Sequence, residues 1–233
     1  MPIPLYSIKN LHVKIGKEEQ LQINQFDIHR GACYVFLGPM GSGKTTFLDT
    51  LYSRRKIEKS KIKFEEKDIH KYSDRAYQEQ IAVVPQKFRP PWGRVENYIC
   101  KTIQRYPQIK NQNKHMNEIV RKMNISSLLT RKMKNLTPGE IRWVVLAAQI
   151  AADTKVLFID EYEQHLGKED IKTLNNILYR KINFDGITLI TSTQNKDHLS
   201  RLASVTITLN KGRITSLRSF SKKKDNYRNK RRK

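Results

Sequence analysis

Eight consecutive residues, Gly38-Pro39-Met40-Gly41-Ser42-Gly43-Lys44-Thr45, follow the pattern G-x-x-x-x-G-K-[ST]. That is the spacing of a loop built to cradle phosphate. Glycines let the backbone curl round a polyphosphate in conformations that other residues adopt only at a cost. The N–H groups then point inward at the anion, helped by the positive start of a following helix. Lys44 is expected to reach the β- and γ-phosphates, and the Thr45 hydroxyl to ligate Mg²⁺. The candidate nucleotide-binding set is Gly38, Pro39, Met40, Gly41, Ser42, Gly43, Lys44, Thr45 and Thr46. A second constellation is Lys155-Val156-Leu157-Phe158-Ile159-Asp160-Glu161. Two carboxylates end an apolar run, where ligands bind in open α/β folds. Asp160 is the candidate for the Mg²⁺ shell, and Glu161 for orienting or activating the attacking water.

Both motifs need elements that hold them. Tyr34-Val35-Phe36-Leu37 reads as a buried strand before the loop, and Thr46 to Tyr52 as the helix after it. Val156 to Ile159 has no polar face, so it reads as a strand covered on both sides, as in a parallel sheet. Ile81-Ala82-Val83-Val84 reads as a short buried strand, and Ile187 to Thr191 as a further strand. Residues Leu5 to Ile28 alternate apolar and polar positions and predict antiparallel strands, closed by the turn His29-Arg30-Gly31. A short strand is expected at Lys61 to Phe64 in the polar stretch Arg54 to Asp74. From Val95 to about Lys134 the pattern is helical, with Met116, Ile119, Val120 and Met123 as the core of a small subdomain. A helix starts near Pro138, and another spans Lys168 to Lys181. Val205 to Leu209 and Arg213 to Thr215 form a hairpin across Asn210-Lys211-Gly212. No internal repeat is visible. The expected fold is α/β: a P-loop NTPase core with a mostly parallel sheet, an N-terminal antiparallel β subdomain and a small inserted helical subdomain at about 95–135.

Bulk properties bound the function. The 233 residues suffice for one α/β domain with a full core. Lysine and arginine total 45 against 22 acidic residues, a net charge of +23. Residues 218–233 are expected to be a disordered basic tail, too charged to pack. The rest of the chain stays strongly positive, which fits either an anionic neighbour or a lysine-rich soluble surface. Cys33 and Cys100 make neither a metal spacing nor a disulfide framework. Cys33 opens the buried strand as a core thiol. The N-terminus lacks the pattern of a signal peptide. The longest apolar run, Val144 to Ala152, contains Gln149 and is too short to span a bilayer. A cytoplasmic protein is expected.

Taken together, these motifs resemble an ABC-type ATPase domain over about residues 5 to 217. Leu136-Thr137-Pro138-Gly139-Glu140 resembles the family signature L-S-G-G-E/Q, which closes over the γ-phosphate held by a second subunit. Thr137 is also a good N-cap, with Pro138 at the first helical position and Glu140 completing a capping box. The resemblance implies ATP and Mg²⁺ as ligands, with Thr45, Gln86 and Asp160 around the metal. Thr137 and Gly139 would contact the partner's nucleotide, and Gln194 stands where the family's switch histidine lies. Gly93-Arg94-Val95-Glu96-Asn97 resembles a stretch that meets a membrane partner, and Trp92 before it suits either packing or contact. Leu51-Tyr52 and Gln86-Lys87-Phe88-Arg89 resemble the FtsE type, which works with FtsX at the division site.

Four positions depart from the family pattern. Pro138 replaces the first signature glycine and removes a backbone donor. Ile15 stands where a base-stacking aromatic is expected. Gln194 cannot carry an imidazolium charge, and Gly167 replaces the D-loop aspartate, with His165 nearby as a substitute or a solvated loop residue. The implied function is an ATP-binding and hydrolysing subunit at the inner face of the membrane. It would dimerise with a copy of itself or with another ABC chain on ATP binding, drive a separate integral membrane protein and turn over slowly. The basic tail would meet anionic lipid. The alternative is a soluble single-domain ABC protein acting on nucleic acid or the ribosome through its basic surface.

Overall fold

Two kinds of strand in this chain build two sheets. The computed structural model describes residues 3–15, 18–53 and 58–220. Strands β1 (Tyr6–Ile15) and β2 (Glu18–Ile28) pair antiparallel, each with one buried face. Tyr6 and Ile8 point inward, and so do Leu11 and Val13, so the inward parity changes at Asn10. Asn10 has φ 46°, a left-handed conformation that asparagine tolerates better than most residues. The partner strand changes face at the same level, between Ile23 and Phe26. One asparagine thus keeps two strands buried despite a break in alternation.

The chain continues through β3 (Cys33–Leu37), α1 (Lys44–Ser53), β4 (Ile62–Phe64), β5 (Lys67–Asp68), α2 (Asp74–Gln78) and β6 (Ile81–Val84). Then come α3 (Val95–Ile103), α4 (Gln112–Lys122), α5 (Pro138–Ala151), β7 (Val156–Ile159), α6 (Lys168–Phe184), β8 (Thr188–Ser192), β9 (Val205–Asn210) and β10 (Arg213–Ser219). The first sheet has the order β2-β1-β4-β5 and the second β10-β9-β3-β8-β7-β6. In the second, the pairs β9–β3, β3–β8, β8–β7 and β7–β6 are parallel and β10 alone runs antiparallel. The expected α/β architecture is what the chain adopts.

Both faces of the second sheet are covered, which explains the unbroken apolar runs. Val156 and Phe158 face a core shared with α1 and the first sheet, through Phe36, Phe47 and Tyr6. Leu157 and Ile159 face the opposite core, with α5 and α6. Full burial of one such side chain contributes about 1.5–3 kcal/mol. That second core also takes in Met116, Ile119, Val120 and Met123. The inserted helices therefore share a continuous core with the sheet rather than holding one of their own. Tyr106 Oη donates to the Ile81 carbonyl at 3.1 Å and Trp143 Nε1 to the Met123 carbonyl at 2.9 Å, pinning the insert at both ends. Gln149, the polar residue of the long apolar run, accepts from the Val83 N–H at 3.3 Å.

Two boundaries differ from expectation. α1 begins at Lys44, so the phosphate-loop lysine is itself the first helical residue. β10 runs to Ser219, and the Phe220 N–H bonds to the Ser204 carbonyl at 2.8 Å. Residues 218–220 thus belong to the folded body, and the basic stretch from Lys222 lies outside the described residues. β5 adds a second strand to the polar stretch, and α2 follows it as a helix that was not expected.

The hairpin between β9 and β10 turns at Lys211 and Gly212, both with positive φ, as a two-residue turn of the primed kind requires. Gly212 donates its N–H to the Ser42 carbonyl at 3.0 Å and accepts at its own carbonyl from Gln22 N–H at 2.9 Å. A Cβ on Gly212 would lie 2.3 Å from the Gln20 carbonyl oxygen, so only glycine fits between the phosphate loop and β2.

The buried hydroxyl pair Tyr6–Tyr77 (2.7 Å) sits beside the Leu51 carbonyl, to which Tyr77 donates at 2.8 Å. Burial raises the Tyr6 pKa well above its ordinary value, reinforced by Tyr77. A raised folded pKa means that the stabilisation is complete below the unfolded value of about 10 and is lost as pH climbs towards the folded one. Stability is therefore expected to fall in denaturant titrations above about pH 10, and less steeply in Tyr6→Phe. An equal slope in both proteins would refute the assignment.

Candidate functional site

The phosphate loop joins the end of β3 to the start of α1. Gly38 has φ 147°, and a Cβ there would meet the Leu209 carbonyl oxygen at 2.2 Å. The loop therefore turns on that residue. Lys44 is buried and donates from Nζ to the carbonyls of Gly38 at 2.7 Å and Pro39 at 2.9 Å. Desolvation lowers its pKa, and the facing carboxylates of Asp160, Glu161 and Glu163 oppose that shift. Met40 and Thr45 are exposed, and Thr46 is half-buried at the first helical turn.

Asp160 and Glu161 follow β7, which β8 separates from β3 in the same sheet. Asp160 is buried and its Oδ1 accepts from Ser192 Oγ at 2.5 Å. The same Ser192 hydroxyl accepts from the Glu161 N–H at 2.8 Å. One serine at the end of β8 thus fixes both acidic residues. Glu161 has φ 52°, a left-handed turn that swings its side chain out of the strand's alternation. Glu163 accepts from Thr193 Oγ1 at 2.6 Å and from the Gln194 N–H at 2.9 Å, tying the acidic loop to the segment after β8. Gln194 itself is exposed.

Gln86 follows β6 and is half-buried. From α5, the buried Arg142 guanidinium donates to the carbonyls of Pro85 at 2.8 Å, Asp160 at 2.7 Å and Glu161 at 2.8 Å. Sequence reading missed Ser192, Glu163 and Arg142. Serine or glutamate near a strand end and arginine within a helix are ordinary surface choices; burial singles out Ser192 and Arg142, and hydrogen bonds from Thr193 and Gln194 single out Glu163.

Thr137 and Gly139 stand at the start of α5. The capping box forms as expected: Thr137 Oγ1 accepts from the Glu140 N–H at 3.3 Å, and Glu140 Oε2 from the Thr137 N–H at 2.8 Å. Gly139 packs on the D-loop segment, where an added Cβ would be 2.9 Å from the His165 carbonyl oxygen. Among the described residues neither Thr137 nor Gly139 hydrogen-bonds to the phosphate loop of its own chain. Trp92 is 90% exposed with Lys134 Nζ 5.4 Å from its ring centroid, so it does not pack into the core. His165 is exposed as well. The side chain of Ile15 lies outside the described residues.

Lysine on a glycine loop at a helix start, with two carboxylates at the end of the next strand but one in the same sheet, defines a P-loop ATPase site on a core carrying an antiparallel β sheet and a helical insert. The sequence pattern of the ABC transporter family matches residues 21–163, and this chain belongs to that family. An uncharacterized ABC transporter ATP-binding protein of Thermotoga maritima is 25% identical over 209 residues, covering 86% of this chain and 88% of that protein. The lipoprotein-releasing system ATP-binding protein LolD of Leptospira interrogans is 23% identical over 220 residues, covering 92% of each. An uncharacterized relative from Methanocaldococcus jannaschii is 27% identical over 160 residues, and there the match spans 55% of its length. Among solved structures, an ATP-binding cassette dimer in a post-hydrolysis state bound to ADP and phosphate superposes with TM-score 0.80 at 19% identity, covering 93% of this chain and 99% of that one. That likeness supports the fold.

Proposed function

We propose that this chain is an ATP-hydrolysing subunit that dimerises on ATP and drives a separate membrane protein, with slow turnover. The observation that carries the reading is Lys44 seated in the glycine loop, with Asp160 and Glu161, both held by Ser192, in its electrostatic reach. Lys44 and the Gly41–Gly43 backbone would hold the phosphates. Thr45, Gln86 and Asp160 offer hydroxyl, amide and carboxylate oxygens, the hard donors that Mg²⁺ prefers. The metal would supply charge neutralisation at the phosphate oxygens. Glu161 would orient the attacking water, with catalysis by positioning and charge stabilisation.

The exposed capping hydroxyl of Thr137 and the Gly139 N–H would face the nucleotide of a second subunit. Among the described residues no helix is long and apolar enough to cross a membrane, and the membrane partner of this reading is a separate polypeptide. Exposed Trp92, Gly93, Arg94, Glu96 and Asn97 are the surface we assign to it. The basic tail adds attraction to an anionic cytoplasmic leaflet, about 1 kcal/mol per residue near the surface. Slow turnover rests on Gln194 and Gly167, which remove the switch imidazole and the D-loop carboxylate.

Purified protein is expected to release phosphate from ATP only with Mg²⁺. Gln194→His should raise turnover about 10-fold, because an imidazole adds proton transfer that an amide lacks. Tagged protein from gently solubilised cells should bring down a polytopic membrane protein, whose sequence would separate a transporter from an FtsX-like partner. No gain from the histidine would overturn slow turnover by loss of the switch. Recovery of ribosomes or RNA with no membrane protein would overturn the membrane reading.

A further inference from the structure

Two loops that meet at the acidic end of the sheet share one anchor. Arg142 lies in the second turn of α5, one turn past the capping residue Thr137. Its side chain reaches the carbonyl just before Gln86 and the two carbonyls of Asp160 and Glu161. It thus links the metal-shell glutamine's loop to both acidic residues. The planar fork suits this task, since arginine presents several donors in fixed directions.

The arrangement is a poor way to gain stability alone. The guanidinium is buried, its Nε has no hydrogen-bond partner, and burial pulls its pKa down to about 10. Desolvating a cation often costs as much as its contacts return, so a buried charge is weak evidence for a stability role. What the contacts fix is relative position. Glu161 is in a left-handed turn, held on one side by Ser192 through its N–H and on the other by Arg142 through its carbonyl. Release of the carbonyl frees the peptide plane that aims the carboxylate. The Asp160, Glu161 and Glu163 carboxylates all favour the cation at this place.

We propose that Arg142 is a positioning residue of the hydrolytic site, fixing the Glu161 backbone relative to the Gln86 loop so that the carboxylate meets the attacking water. This rests on the ATPase reading above. Arg142→Met keeps bulk and removes every donor. Its kcat is expected to fall about 10- to 100-fold, the usual range for losing a group that orients a functional residue. KM and Mg-ATP affinity should stay within about threefold, because the phosphate loop is untouched. Arg142→Lys should recover part of kcat.

The decisive comparison is the same substitution in a Glu161→Gln background. If Arg142 acts through Glu161, the methionine change should lower the residual turnover there by less than about twofold. Equal losses in both backgrounds would overturn the proposal, and so would full kcat in a folded Arg142→Met protein. Should the methionine variant not fold, Arg142→Lys in both backgrounds gives the same test: a several-fold loss confined to the Glu161 protein supports it, and equal or absent losses overturn it. A wild type with no Mg-ATP turnover would instead sink the functional reading itself.

Discussion

Lys44→Ala is expected to abolish Mg-ATP binding while leaving the fold intact. The ammonium is the one cation seated within the phosphate loop, bonded to the Gly38 and Pro39 carbonyls. Two charge-assisted bonds to phosphate oxygens are each worth about 1.5–3 kcal/mol, so their loss weakens affinity by about 100-fold or more. Stability should change little. Desolvation already disfavours the charged lysine here, and the two carbonyls can turn to water once the side chain is gone. Titration calorimetry and the Mg-ATP-dependent rise in melting temperature give the measurement. Affinity retained within about threefold would overturn the phosphate assignment.

Glu161→Gln should separate binding from chemistry. Glutamine preserves size and leaves the N–H to Ser192 and the carbonyl to Arg142 in place. It removes the charge that draws a proton from water. Loss of a general base costs about 10²–10⁴-fold, so single-turnover phosphate release should fall into that range. Nucleotide affinity should be unchanged, and the ATP-bound dimer should outlive that of the wild type on size-exclusion chromatography. Unaltered dimer lifetime would mean that ATP binding alone sets the assembled state. Undiminished phosphate release would remove Glu161 from the reaction.

The order of elements was legible because the strands are extreme in composition. Four or five apolar residues in a row, as in Val156 to Ile159, have few alternatives to a doubly covered strand. The loop from Gly38 to Thr45 and the pair Asp160-Glu161 were legible because phosphate chemistry constrains residue type at each step. β10 was read short because it is an edge strand. Leu217, Arg218 and Ser219 are all exposed, so no apolar rhythm announces them. The strand is held instead by pairing to β9, a property of the partner. The same reason hid Arg142 and Ser192. Each acts on backbone from segments distant in sequence, and a residue's own neighbours say nothing about which carbonyls will surround it. The inserted helices show the converse. Their periodicity was plain, but only packing reveals that their apolar faces complete the sheet's core.

The brace at Gly212 has a consequence for how the protein is made. The phosphate loop is encoded near the start of the chain, yet the N–H that bonds to its Ser42 carbonyl comes from the last hairpin. Contacts this far apart in sequence are slow to form, since the intervening chain must first be ordered. Synthesis runs from the N-terminus, so a nascent chain carries the complete phosphate-loop sequence long before the residue that braces it has left the ribosome. The braced cradle therefore forms only after the β9–β10 hairpin has been made, and chains truncated before Gly212 lack this hydrogen bond to the loop.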